Sequence, residues 1–101
     1  SINGYVDMVL NEIPSKINVG NAYPNPFNPI VGFDYVLPRE SEVDIRVFNV
    51  NGQEISILHQ GIVKSGSHAV SWNADTFSSG VYFIKFETNN FLSTQKVMLI
   101  K

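Results

Sequence analysis

Residues able to do chemistry are few in this chain, and none form a recognisable catalytic set. Neither His59 nor His68 has a second histidine or an aspartate at ligand spacing. Zinc takes three or four protein ligands, so both read as structural or surface residues. Gly61-Ile62-Val63-Lys64-Ser65-Gly66-Ser67 has the glycine spacing of a phosphate loop. Ser67 stands where the lysine belongs, however, and no helix follows to supply an N-terminal dipole. The segment reads instead as an inter-strand loop bracketed by Gly61 and Gly66. Glu40, Glu42 and Asp44 could hold calcium together with backbone carbonyls, but acids at the start of a strand more often stay solvated and discourage edge pairing. No Gly-x-Ser-x-Gly elbow occurs, and no Ser/His/Asp set can be assembled. With no cysteine there is neither a disulfide nor a thiolate metal site. The expectation is a protein that is not an enzyme and needs no cofactor.

The size and charge of the chain narrow its class. Its 101 residues make one domain, long enough to bury roughly two-thirds of the unfolded surface. The apolar fraction of 44% suits a globular core, and the charged fraction of 16% is low. A net charge of −2, with acids and bases interspersed, gives no basic face for nucleic acid. No apolar run is long enough to span a membrane. Ser1-Ile2-Asn3-Gly4 does not look like the start of a signal peptide.

The most informative segment is Tyr23-Pro24-Asn25-Pro26-Phe27-Asn28-Pro29. Its prolines remove backbone donors, fix φ, and push Tyr23, Asn25 and Asn28 toward extended geometry. Neither a helix nor a central strand can pass through it. The asparagines can close Asx-turns, and Tyr23 and Phe27 add apolar mass. A stiff lead-in to the fold is expected here, not a catalytic loop.

Elsewhere the pattern has period two. Residues 6–14 read as a short strand ended by Pro14, or as a linker. Val31, Phe33, Tyr35 and Leu37 share a face up to Pro38, and Val43, Ile45 and Val47 alternate with Asp44 and Arg46. At Val47-Phe48 the apolar parity shifts, as at a bulge or in a strand covered on both faces. Asn51-Gly52 signals a hairpin. His68, Val70 and Trp72 form an inward set against Ser67, Ala69, Ser71 and Asn73. Residues 81–86 are apolar on both parities, as in a central strand. A second turn falls at Asn89-Asn90, and a final strand occupies 94–101. Six or seven short strands with turns about every ten residues predict an all-β fold, an antiparallel β-sandwich. Trp72, between polar neighbours, reads as a core anchor.

The proline motif followed by Tyr35-Val36-Leu37-Pro38 resembles the C-terminal sorting domain of type IX secretion substrates, in its type A form. So do Val47-Phe48-Asn49 with Gly52-Gln53-Glu54-Ile55, then Gly66 and His68 leading to Trp72. Ser79-Gly80-Val81-Tyr82-Phe83 and Lys96-Val97-Met98-Leu99-Ile100-Lys101 complete the series. The domain is similar to the immunoglobulin-like module of flagellar hook-capping proteins. The resemblance implies an immunoglobulin-like sandwich of about seven strands over residues 17–101, with 1–16 as a linker or edge strand from an upstream domain. It also implies that the domain directs a larger cargo through the outer-membrane translocon to the cell surface or the medium, by way of the periplasm. The partners implied are translocon and sortase components and the upstream cargo domain, with cleavage somewhere in residues 1–20. Lys96, Val97, Met98, Leu99, Ile100 and Lys101 would lie nearest the recognition signal, and residues 23–29 would form the lead-in motif. Gly52, Gly66 and Gly80 would shape turns, with Trp72 and Tyr82 in the scaffold. The terminal strand could offer its backbone to a partner's sheet edge, oriented by Lys96 and Lys101.

Two other readings fit the same residues. One is a structural immunoglobulin-like spacer in a secreted multidomain enzyme. The other is a carbohydrate-binding module with Tyr5, Tyr23 or Phe91 on an exposed face.

Overall fold

Alternating apolar residues fix which face of each strand turns inward, and the strands sort into two sheets that bury those faces against each other. The computed structural model describes residues 16–101; the expected strand at 6–14 and Tyr5 lie outside them. The elements in order are β1 (Asn18–Val19), β2 (Ile30–Leu37), β3 (Ser41–Asn49), β4 (Glu54–Val63), β5 (Gly66–Asn73), β6 (Gly80–Thr88) and β7 (Phe91–Leu99). One sheet has the order β1-β2-β5 and the other β4-β3-β6-β7, and these neighbouring strands pair antiparallel. This is an all-β sandwich consistent with an immunoglobulin-like fold.

The core forms where the two inner faces meet. Val31, Phe33, Tyr35 and Leu37 of β2 face Val43, Ile45 and Val47 of β3, Tyr82, Ile84 and Phe86 of β6, and Val97 and Leu99 of β7. Trp72 is 3% exposed, as its position in the pattern predicts. Its ring centroid lies 5.7 Å from Phe27, 5.5 Å from Phe77 and 5.2 Å from Tyr82. Such tilted and edge-on contacts each add to simple burial. The Tyr82 hydroxyl donates to the Ser78 carbonyl at 2.6 Å, tying the start of β6 to the loop before it. A tyrosine that bonds back to the corner preceding its strand is a hallmark of immunoglobulin-type sandwiches.

One local expectation needs correction, and two gain detail. The register does shift at Val47-Phe48, and again between Ile45 and Arg46, while the inner residues Val43, Ile45 and Val47 of β3 alternate without a break. The extra residues lie opposite, where β4 carries Leu58 and Ile55 between the pairs Ile45↔His59, Arg46↔Ile57, Val47↔Ser56 and Phe48↔Glu54. Phe48 therefore sits on the outer face, with the Lys85 ammonium 5.2 Å from its ring centroid. Gly61 does not open a loop. It pairs with Val43 inside β4, and only Lys64 and Ser65 separate β4 from β5. The hairpin signalled by Asn51-Gly52 joins β3 to β4. Gly52 N–H donates to Asn49 O at 3.0 Å, and the Asn49 side chain accepts from Asn51 and Gln53. Among the described residues only glycines have positive φ, and Gly52, at +81°, supplies that conformation just after the turn.

Candidate functional site

The proline motif and the last strand, at opposite ends of the sequence, form one structural unit. The chain runs antiparallel to β2 at β1, and Tyr23 bridges Gly32 with hydrogen bonds of 2.8 and 3.0 Å. The prolines then stop that pairing, because each lacks the donor needed to extend it. The three X–Pro bonds, at 23–24, 25–26 and 28–29, are cis. Beyond Pro26 the chain has crossed to the other sheet, where Phe27 pairs with Leu99 in parallel. A strand that changes sheets in this way closes one side of a sandwich.

Four outward-facing backbone groups of β7 and its extension are satisfied by two residues of the motif, Asn25 and Phe27. Asn25 Nδ2 donates to Lys96 O at 3.0 Å, and Met98 N–H donates to Asn25 Oδ1 at 3.1 Å. Phe27 N–H donates to Met98 O, and Ile100 N–H donates to Phe27 O, both at 2.9 Å. The side-chain amide of Asn25 thus does the work of a peptide group where proline has none. The expected Asx-turn is replaced by this long-range bond, because the amide reaches 71 residues along the chain and not to its own backbone. The Phe27 ring is 2% exposed and packs into the core.

A second amide sits one layer deeper. Gln95 lies on the inward parity of β7, and its Oε1 accepts from Ala22 N–H at 2.7 Å while Nε2 donates to Gly20 O at 2.8 Å. It joins β7 to the opposite sheet at the side where the two approach. The expectations did not include Gln95. A long polar side chain at an inward position before Val97 and Leu99 is the signal that could have found it.

The remaining expected residues are placed as follows. Val97 and Leu99 are core residues at 0% and 1% exposure, whereas Lys96, Met98, Ile100 and Lys101 face outward. Lys101 N–H donates to Ser79 Oγ at 3.0 Å, and its ammonium donates to Asp75 O. Tyr23, Pro24, Asn25, Pro26 and Asn28 are exposed, and Pro29 O accepts from Ala74 N–H at 2.9 Å. Gly66 and Gly80 open β5 and β6. Gly32, opposite Tyr23, is required by close approach, since a Cβ there would lie 2.8 Å from Val70 O.

Other candidates are dispersed. His59 is on β4 and His68 on β5, in different sheets; His68 Nε2 lies 2.7 Å from Lys64 O and its ring stacks near Tyr35. Among the described residues no three His, Cys, Asp or Glu side chains are grouped to hold a metal. Asp44 is occupied by Arg46, whose Nε and Nη2 reach its two oxygens at 2.6 and 2.9 Å. That bidentate bond holds the Asp44 carboxyl below the usual range, and the bonds from Asp44 and Glu54 push the Arg46 guanidinium up. Burial raises the Tyr35 phenol. Tyr23 and Phe91 belong to different sheets, with Phe91 turned toward Phe86, so they make no shared sugar platform. No helix in the described residues is long and apolar enough to cross a membrane.

No curated protein matches the chain. Residues 21–101 match the family described as the secretion system C-terminal sorting domain, a span that runs from just before the proline motif through the last strand. The chain belongs to that family.

Proposed function

We propose that this chain is the sorting signal of a type IX secretion substrate, carrying a cargo polypeptide joined upstream across the outer membrane to the cell surface or the medium. The family match over residues 21–101 carries the reading. The folded domain is the signal and the cargo holds any activity. The sandwich begins near residue 17, a boundary supported by the pairing of β1 with β2. Residues 1–16 act as the linker, and a sortase of the cysteine-protease type cuts somewhere in residues 1–20. Translocon components recognise the region around residues 96–101 together with the proline motif that covers it.

The test is a reporter carrying this chain as its C-terminal domain, expressed in a host with a type IX system. The reporter should reach the cell surface or medium, and retention in the periplasm would overturn the reading. Deleting residues 97–101 is a poor probe of recognition, because it also removes Val97 and Leu99 from the core. Substitutions at outward positions separate recognition from folding.

A further inference from the structure

We infer that the outer face of the four-stranded sheet, across β3, β6 and β7, docks a partner protein whose contact surface is apolar and bears a carboxylate. The inference rests on the sorting reading and locates its recognition surface. An antiparallel sheet that faces water normally alternates apolar inside with polar outside. β6 breaks that rule. Its inward Tyr82, Ile84 and Phe86 are buried as expected, but Val81 and Phe83 on the outer face are also apolar. Phe83 pairs with Phe48 on one side and Lys96 on the other, and Val81 pairs with Met98. Met98 is 38% exposed, and Phe48, Val81 and Phe83 are half-buried with no covering layer among the described residues.

Three observations select the occupant. An added strand is blocked along residues 96–100, because Asn25 and Phe27 already take the outward backbone groups there. A second copy in two-fold contact centred beside Lys96 would set that unpaired lysine against its own equivalent, which is repulsive. The upstream chain enters at the other end: Lys16 lies beside Pro38 and Asn90, away from the 49–53 turn and Lys101. What remains is a separate partner with charge opposite to the patch. Lys85 lies over Phe48 and is already 3.6 Å from Glu87 Oε1, whereas Lys96 makes no ion pair among the described residues. An incoming carboxylate meets Lys96 at the edge of the apolar area.

The experiment uses the same reporter fused to the full chain. Phe83→Thr with Met98→Thr, and separately Lys96→Glu, should each lower surface delivery about tenfold, as loss of an interface anchor does. Ser67→Glu, which adds a charge to the outer face of the other sheet, should deliver like the unmodified chain. If the unmodified chain is not delivered, the sorting reading fails and this inference falls with it. If it is delivered and Lys96→Glu matches it, the sorting reading stands and the docking face is refuted, even should the double variant not fold. Equal loss with Ser67→Glu would refute it too, by showing a general charge effect. A purified dimer that Lys96→Glu converts to monomer would give the face to a second copy and overturn the inference.

Discussion

Gln95→Ala is the most direct test of the link between the two ends of the chain. The change removes two hydrogen bonds, of 2.7 Å from Ala22 N–H and 2.8 Å to Gly20 O. Each bond is worth about 0.5–1.5 kcal/mol net, and an unpaired buried group costs about 1–3 kcal/mol more. Ala22 is 7% exposed, so water reaches its N–H poorly. Together these give a loss of about 2–3 kcal/mol. A domain of this size has a urea m value of about 1 kcal/mol per molar, so the unfolding midpoint should fall by about 2–3 M. Asn25→Ala also deletes two bonds, but at an exposed site where water replaces the amide, and its cost should be about 1 kcal/mol or less. Urea titrations of the two variants side by side give both numbers. A midpoint shift below about 0.5 M for Gln95→Ala, or equal shifts for the two variants, would refute the view that the deeper amide joins the sheets.

Two other outcomes are expected. Trp72→Ala should cost about 3–5 kcal/mol, because it empties the space between Phe27, Phe77 and Tyr82, and calorimetry should show a melting point lower by at least about 10 °C. Asp44 has its carboxyl lowered in the fold by the Arg46 hydrogen bonds. Its contribution is therefore present above about pH 4, the ordinary carboxylate range, and is lost as pH falls through the lower folded value. Arg46→Gln should return the Asp44 titration to the ordinary range, as followed by NMR of the carboxyl carbon, and should flatten that part of the acid loss.

The sandwich was legible in the sequence because a half-buried strand writes its orientation in alternating residues. Val31, Phe33, Tyr35 and Leu37 do so, as do Val43, Ile45 and Val47, and Trp72 stands out among polar neighbours. The 49–53 and 89–90 turns were legible for the same local reason. What escaped was non-local. The extra residues lie on β4 and depend on its pairing with β3, and an outward-facing, half-buried Phe48 looks in sequence like a slip within β3. Gly61 resembles a loop boundary until its partner Val43 is known. The roles of Asn25 and Gln95 join positions 71 to 75 residues apart, and no pattern within either segment encodes the other. The proline motif was therefore read as a lead-in and the last strand as a separate signal, although Asn25 and Phe27 of the motif satisfy that strand's outward edge.

The parallel pairing of Phe27 with Leu99 has a mechanical consequence. Lys16 and Lys101 lie toward opposite ends of the sandwich. A pull between them runs along the strands and loads the bonds from Asn25 and Phe27 to residues 96–100 in shear. Bonds loaded in shear share the force and must break together, whereas those of a hairpin pulled from its open end break one at a time. Traction applied through the two ends thus falls on the unit built from the proline motif and the last strand. A domain knitted this way is suited to being hauled by one end while a load hangs from the other.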